Sequence, residues 1–416
     1  MKNYFLTFCL FYCLLGVNAA TFSTGDSLQI SLLTCSPGKL AYEKFGHSAL
    51  RVVDKSKDLD IVFNYGIFSF DIESFYIKFM KGETDYVLGV ASTAHFLPEY
   101  AERNSSVMEQ VLNLTKEEKE RLVEALLVNY EPQNRKYRYN FVYDNCSTRP
   151  RDIIMANVDG VISFSRNFEP ETFRTHVEKY AGSNTWLMFG IDMLFGASAD
   201  AYASRMISMF LPEILMNEFR SAKIVHPIDK NERDLVLSEA LLVTRNNEKT
   251  VSDSLSVFSP IIICSLILIL GIAITVWDLK RKRRSKLFNS ILFVTTGLAA
   301  IIVFYFSFIS IHPLVSENYN LLWLCPLNLV AGIIIWFRPL RLPLLYYLLA
   351  YSIMLFAVLF LFAINWQSVN IAFIPLIVTL LIRSLHWITY KRKGTVSILQ
   401  IIKKKGDRHP KRKRAH

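Results

Sequence analysis

Tyr143-Asp144-Asn145-Cys146-Ser147-Thr148-Arg149-Pro150-Arg151-Asp152 sets a cysteine between a strand-like stretch, Tyr139 to Tyr143, and a segment that reads as a helix from about Thr148 to Asn157. Pro150 lacks an N–H and fits only near a helix start, so the helix begins at Ser147 or Thr148. Cys146 then lies on the entering turn. A thiol reacts as its thiolate, and the positive end of a helix together with a nearby imidazolium lowers its pKa. The turn is therefore a candidate nucleophile site, with the Cys146 N–H and the Asn145 amide as candidate oxyanion donors.

A base must take the thiol proton, and the segment between residues 21 and 256 offers His47, His95, His176 and His226. His47 is best placed. In Phe45-Gly46-His47-Ser48-Ala49 it opens a strand behind a glycine, with His47, Ala49 and Arg51 facing one way and Leu50 and Val52 the other. His95, before Phe96 and Pro98, is second. A third group should fix the imidazole tautomer: Asn64 on the next strand, with Tyr65 and Asp144 as alternatives.

Around these residues the pattern is α+β. Ser27 to Leu33, Ser48 to Val53, Ile61 to Phe68 and Tyr86 to Ala91 read as strands, rich in β-branched and aromatic residues and separated by turn formers. Thr115-Lys116-Glu117-Glu118 is a capping box that opens an amphipathic helix to Asn129. Further helices are expected over Phe173 to Tyr180 and Ala199 to Phe219. Of six cysteines only Cys35 and Cys146 fall in this region, enough for one disulfide or one reactive thiol. No CxxC or Cys/His cluster suggests a metal. Phe68, Phe70, Phe75, Tyr76 and Phe79 form an aromatic-rich stretch, suited to core packing or, for an apolar substrate, to lining its entrance.

Charge divides the chain near Val257. Residues up to 256 carry a balance of −6 and the remainder +17, within an overall +11. Such a basic excess would ordinarily suggest nucleic acid, but it borders apolar runs, where it reports membrane orientation instead. No nucleic-acid partner is expected. Five segments approach spanning length: Phe258 to Trp277, Leu287 to Ser310, Leu321 to Phe337, Leu342 to Ile364 and Ile371 to Tyr390. Basic clusters follow the first, third and fifth, which places residues 21 to 256 outside and the C-terminus inside. Arg383 and His386 are expected to snorkel to the inner face, and Pro326 to kink the third span. Residues 1 to 20, with Lys2, an apolar run and Val17-Asn18-Ala19, read as a cleaved signal peptide. The expected organisation is thus signal peptide 1–20, outer thiol domain 21–250, five helices over 257–391 and a basic tail 392–416.

FGHSALRV at 45–52, NYG at 64–66, LNLTKEE at 112–118 and YDNCSTRPRD at 143–152 resemble the Lnb-type lipoprotein N-acyltransferases, over nearly the whole chain. The resemblance implies a permuted papain-like α+β domain, with the His strand before the Cys helix, followed by an all-α transmembrane bundle in a bacterial inner membrane. It implies Cys146 as nucleophile, His47 as base and, by a weaker match, Asn64 as the third residue. Acyl transfer would run from a phospholipid through a Cys146 thioester to the α-amine of a diacylglyceryl-cysteine lipoprotein, with no cofactor. The alternatives are a membrane-tethered cysteine peptidase, amidase or lipase on the same pair, and a non-enzymatic factor with Cys35 and Cys146 joined.

Overall fold

The computed structural model describes residues 27–68, 73–245 and 257–390. The expected signal sequence, the basic tail and Phe70 lie outside the described residues. Strands β1 (Leu28–Cys35), β2 (His47–Asp54) and β3 (Leu59–Ile67) form an antiparallel meander, and helix α1 (Phe75–Lys81) precedes β4 (Asp85–Ser92). Helix α2 (Thr93–Glu102), β5 (Val107–Leu112), α3 (Lys116–Tyr130), β6 (Lys136–Arg138) and α4 (Thr148–Ala156) follow. Then come β7 (Val161–Ser163), α5 (Phe173–Ala181), α6 (Trp186–Leu194), α7 (Arg205–Ser208), α8 (Pro212–Arg220), β8 (Lys223–Val225), β9 (Glu232–Asp234) and β10 (Val236–Val243). The main sheet runs β10-β5-β1-β2-β3-β4-β6, antiparallel throughout, while β7, β8 and β9 make a small second sheet.

Both faces of the main sheet are covered, which is why β2 is apolar on both. Leu50 and Val52 join Ile30, Leu32 and Phe63 in the larger core with Leu122 and Leu126 of α3 and Ile154 of α4. Ala49 packs on the other side with Leu33, Val62, Phe96 and Tyr100, beneath α2. The capping box forms as the sequence predicts: Glu118 N–H donates to Thr115 Oγ1 at 3.3 Å, and Thr115 N–H to Glu118 Oε2 at 2.7 Å. Such a cap contributes about 1 kcal/mol.

Two expectations need correction. The strand beside the cysteine turn is Lys136–Arg138, three residues earlier than the Tyr139 to Tyr143 stretch, which instead curls so that Asn140 and Asp144 bridge one another. The helix expected over Ala199 to Phe219 is three pieces, a 3-10 turn at Ala197–Asp200, then α7 and α8, because Ser204 caps one start and Pro212 sets another.

The C-terminal part is helical: α9 (Pro260–Arg281), α10 (Lys286–Phe308), α11 (Leu327–Ile334), α12 (Arg341–Ala363) and α13 (Phe373–Thr389). Among the described residues three helices are long and apolar enough to cross a membrane: α9, α10 and α12 with its preceding turn. The third expected span is not one helix. Tyr319–Leu322 is a 3-10 turn and α11 has eight residues, about 12 Å of rise. Pro326 stands at the start of α11, so it begins a short helix instead of kinking a long one. Gly297 of α10 lets this piece approach closely, since a Cβ there would lie 2.2 Å from the Leu329 nitrogen.

Arg383 does not snorkel. It is fully buried, with Nη2 donating to Asp278 Oδ2 at 2.8 Å, Nε to Asn289 Oδ1 at 2.7 Å and Nη1 to Thr275 Oγ1 at 2.7 Å. Asp278 follows the expected end of the first span by one residue, and helix α9 carries it inward. His386 is buried as well.

The two parts are joined through α6. Arg174 of α5 pairs with Asp192 at 2.6 Å and Asp200 at 2.7 Å, and Asp192 Oδ2 accepts from Asn370 Nδ2 at 2.9 Å. Asn320 Nδ2 donates to the Asp192 carbonyl at 3.0 Å, and Asn318 Nδ2 to the Met193 and Leu194 carbonyls at 3.0 and 2.9 Å. These side chains satisfy the orphan carbonyls at the α6 C-terminus. Phe189 of α6 meets Phe373 at 4.9 Å.

Removing one partner of a buried ion pair leaves the other uncompensated, at roughly 3–5 kcal/mol. Asp278→Asn should therefore lower the thermal unfolding midpoint of the detergent-solubilised protein markedly, and the double variant Asp278→Asn/Arg383→Met should recover part of the loss. Equal midpoints for wild type and Asp278→Asn would show that the pair does not hold α9 to α13.

Candidate functional site

His47 begins β2, paired in register with Cys35 of β1. Gly46 before it takes a φ of +73°, and a Cβ there would lie 2.6 Å from the Cys35 carbonyl oxygen, so the close turn requires glycine. On β3 the register with β4 slips between Asn64 and Ile67, and Gly66 sits in that irregularity at φ +97°. Such a bulge re-aims a side chain. Asn64 Oδ1 accepts from His47 Nε2–H at 2.6 Å, which leaves Nδ1 for the thiol.

Cys146 reaches His47 from the turn before α4. Asn145 builds that turn. Its side-chain Oδ1 accepts from the Ser147 and Thr148 N–H groups at 2.8 and 2.9 Å, and its Nδ2 donates to the Phe141 and Phe210 carbonyls at 2.7 and 2.9 Å. Both amide protons are thereby held, so the Asn145 amide supports the turn and does not face an oxyanion. Asp144 is likewise engaged, accepting both arms of Arg149 at 2.5 and 2.8 Å. Tyr65 is buried on the other side of β3 from Asn64, with its ring centroid 6.3 Å from that of Tyr137. Neither Asp144 nor Tyr65 hydrogen-bonds His47.

The electrostatics of the pair follow from its burial. Burial opposes ionisation of the Cys146 thiol, but the charge and hydrogen bond of His47 and the N–H groups of Ser48 and Cys146 outweigh it and hold the thiol below its ordinary range. Burial likewise disfavours the His47 imidazolium, and the charge and hydrogen bond of Cys146, with Asn64, raise it above its ordinary range. Behind it, Tyr100 stacks on His47 at 6.4 Å. Cys35 is a buried free thiol, pushed up by burial, and Cys146 is also free, so the disulfide alternative is set aside.

The other histidines lie elsewhere. His95 on α2 bonds Ser92 Oγ at 2.5 Å, His176 faces Ser208 at 3.0 Å, and His226 pairs with Asp229 at 2.8 Å. Among the described residues no group of three His, Cys, Asp or Glu could hold a metal ion.

From the thiol toward the bundle runs a series of aromatic contacts. Tyr139 stacks on Tyr86 at 4.1 Å, Tyr86 on Phe68 at 4.9 Å, Phe68 on Phe75 at 6.1 Å and Phe75 on Phe79 at 5.9 Å. Phe79 meets His312 at 5.8 Å, just beyond α10, and its carbonyl accepts from His312 Nε2 at 2.6 Å. Phe75 is buried, whereas Tyr76 and Phe79 are exposed, so the aromatic stretch is part core and part surface.

An α+β domain with a half-buried thiol–imidazole pair, docked on apolar helices, defines a membrane protein with an enzyme-like outer domain. Residues 19–179 match the Lnb N-terminal periplasmic domain and residues 251–393 the Lnb transmembrane domain, in that order along the chain. The chain belongs to the Lnb family, and its N-terminal domain is periplasmic. No curated protein and no solved structure matches it. The family supports a membrane-bound enzyme that modifies lipoproteins.

The ion pair makes a pH prediction. Iodoacetamide should alkylate Cys146 of the wild type with a midpoint below the pH of about 9 at which an ordinary thiol ionises. In His47→Ala the N–H groups of Ser48 and Cys146 still favour the thiolate but the charge and hydrogen bond of His47 are gone, so the midpoint should rise; an unchanged midpoint would mean that His47 does not share the Cys146 proton.

Proposed function

We propose that the chain is a lipoprotein N-acyltransferase of the inner membrane, in which Cys146 is the nucleophile, His47 the base and Asn64 the group that fixes the imidazole. Cys146 thiolate attacks a phospholipid ester carbonyl, the lysophospholipid leaves with the proton from His47, and a thioester remains. The α-amine of a diacylglyceryl-cysteine lipoprotein then attacks the thioester, gives up a proton to His47, and departs acylated. The observation that carries the reading is the half-buried Cys146–His47–Asn64 array, with His47 Nε2 held by Asn64 at 2.6 Å and the thiol lowered by the imidazolium.

The surroundings fit the same chemistry. Both substrates are lipid-anchored, and the exposed Phe79 lies beside His312 at the outer end of α10, where an acyl chain would leave the bilayer. The permuted papain-like relation, with the His strand before the Cys helix, belongs to this proposal. So do the division into residues 21–250, five membrane helices over 257–391 and a cytoplasmic tail from 392, since basic residues follow α9, the α11 segment and α13.

The order of reaction tests the proposal. Phospholipid supplied without an amine acceptor should leave a hydroxylamine-sensitive thioester on the wild type, none on Cys146→Ser or His47→Ala, and a near-normal amount on His95→Ala. The thioester should pass its chain to an added diacylated lipopeptide faster than to water, and mass spectrometry should find the acyl group on the lipopeptide α-amine. Discharge by water at the same rate would make the protein a lipase or peptidase.

A further inference from the structure

With the Asn145 amide engaged by the Phe141 and Phe210 carbonyls, the turn lacks the side-chain oxyanion donor that the sequence suggests. A different side chain stands in the right place. A Cβ built on Gly66 would lie 3.4 Å from Cys146 Cβ, 3.9 Å from His47 Cε1 and 3.9 Å from Tyr137 Oη, so three groups from β2, β6 and the α4 turn converge on the space that this glycine leaves open. Tyr137 is 6% exposed, and its phenol oxygen is buried without any hydrogen-bond partner. A buried hydroxyl left unpartnered costs about 1–3 kcal/mol, so its persistence beside a reactive thiol calls for a role.

We propose that the Tyr137 phenol is a catalytic hydrogen-bond donor to the oxyanion that forms when Cys146 attacks an acyl ester. The inference rests on the thiol acyl-transfer reading above and adds to it the group that stabilises the transition state. In the step itself the Sγ–C bond forms as the carbonyl π pair moves onto oxygen. Tyr137 donates to that oxygen and keeps its proton. When the carbonyl reforms, the ester C–O bond breaks and the departing alkoxide takes its proton from His47. The same donor serves the second tetrahedral intermediate, in which the amine adds and the thiolate leaves.

The neighbours of Tyr137 suit a donor. The Arg149 guanidinium lies over its ring, 3.7 Å from the centroid, and is fixed there by Asp144. A cation on the ring face draws electron density from the phenol and strengthens it as a donor. Burial, and then the Cys146 charge, keep the phenol protonated, far above its ordinary ionisation range. This gives the Asp144–Arg149 pair of the cysteine turn a function through Tyr137: it positions and polarises the phenol.

The test uses the full-length protein in detergent micelles, with p-nitrophenyl octanoate as acyl donor and the burst of p-nitrophenolate as readout. Tyr137→Phe keeps the ring and removes only the hydroxyl. Its burst rate should fall about 10²–10³-fold, the usual loss for one oxyanion donor. Alkylation of Cys146 by iodoacetamide, which passes through no oxyanion, should keep its wild-type rate and pH profile. A wild-type burst rate in Tyr137→Phe overturns the proposal, and so does a parallel loss of acylation and alkylation, which would make the residue a support of the ion pair. A wild type that is alkylated rapidly yet never acylated by ester sinks the acyl-transfer reading itself, and this donor with it.

Discussion

Burial alone would leave both Cys146 and His47 neutral, and neutral groups would give a sluggish thiol beside an idle imidazole. Each draws the other toward its charged form, at short range and in a medium where opposite charges attract more strongly than in water. That mutual dependence demands rigid placement of two residues nearly a hundred positions apart. The fold answers it twice. His47 is fixed on a strand near the centre of a seven-stranded sheet packed on both faces, and Cys146 on a turn whose every bend is tied by Asn145. Asn64 completes the array by fixing which ring nitrogen faces the thiol.

The second constraint is the position of this pair relative to the bundle. Helix α6 is apolar, yet its C-terminal carbonyls and Asp192 are bound by Asn318, Asn320 and Asn370 from loops between the apolar helices. Arg174 compensates the buried Asp192, so the junction contains a charge pair whose remaining hydrogen-bonding capacity is filled. Gly196 admits no side chain there, since a Cβ would fall 1.8 Å from the Ser316 carbonyl oxygen. A junction so closely fitted fixes the thiol domain against the apolar helices, which suits the proposed transfer between two anchored substrates.

Much of the outer domain is legible in the sequence because its signals are local. Enrichment in β-branched and aromatic residues between turn formers marks β1 to β4 to within two residues, and Thr115 with Glu118 marks the start of α3. His47, Cys146 and Asn64 stand out because glycine, the helix start and strand adjacency frame them. What escapes is non-local. Nothing near Asn145 announces that the Phe210 carbonyl, 65 residues on, takes its amide proton, and nothing near Tyr137 announces that a bulge at Gly66 brings its phenol to the thiol. Arg383 reads as a residue near a span end until α9 carries Asp278 inward to meet it. The third apolar segment is broken for a related reason: apolar composition predicts residence among helices, but Pro326 and the polar residues before it end continuous helix.

The ion pair also bears on how the proposed second half-reaction proceeds. Once Cys146 carries an acyl group its negative charge is gone, and with it the largest influence that raises His47. Burial is then opposed only by the Asn64 hydrogen bond and the more distant Glu99, and it shifts the imidazole toward its neutral form. A neutral imidazole is the base that amine attack on the thioester needs. The attacking α-amine, with an ordinary pKa of roughly 7.7–8.0, is about one-tenth deprotonated at neutral pH, so His47 need only remove the proton that becomes acidic as the C–N bond forms. The burial that makes the resting thiolate dependent on imidazolium thus resets the imidazole for deacylation, and one histidine suffices for both steps.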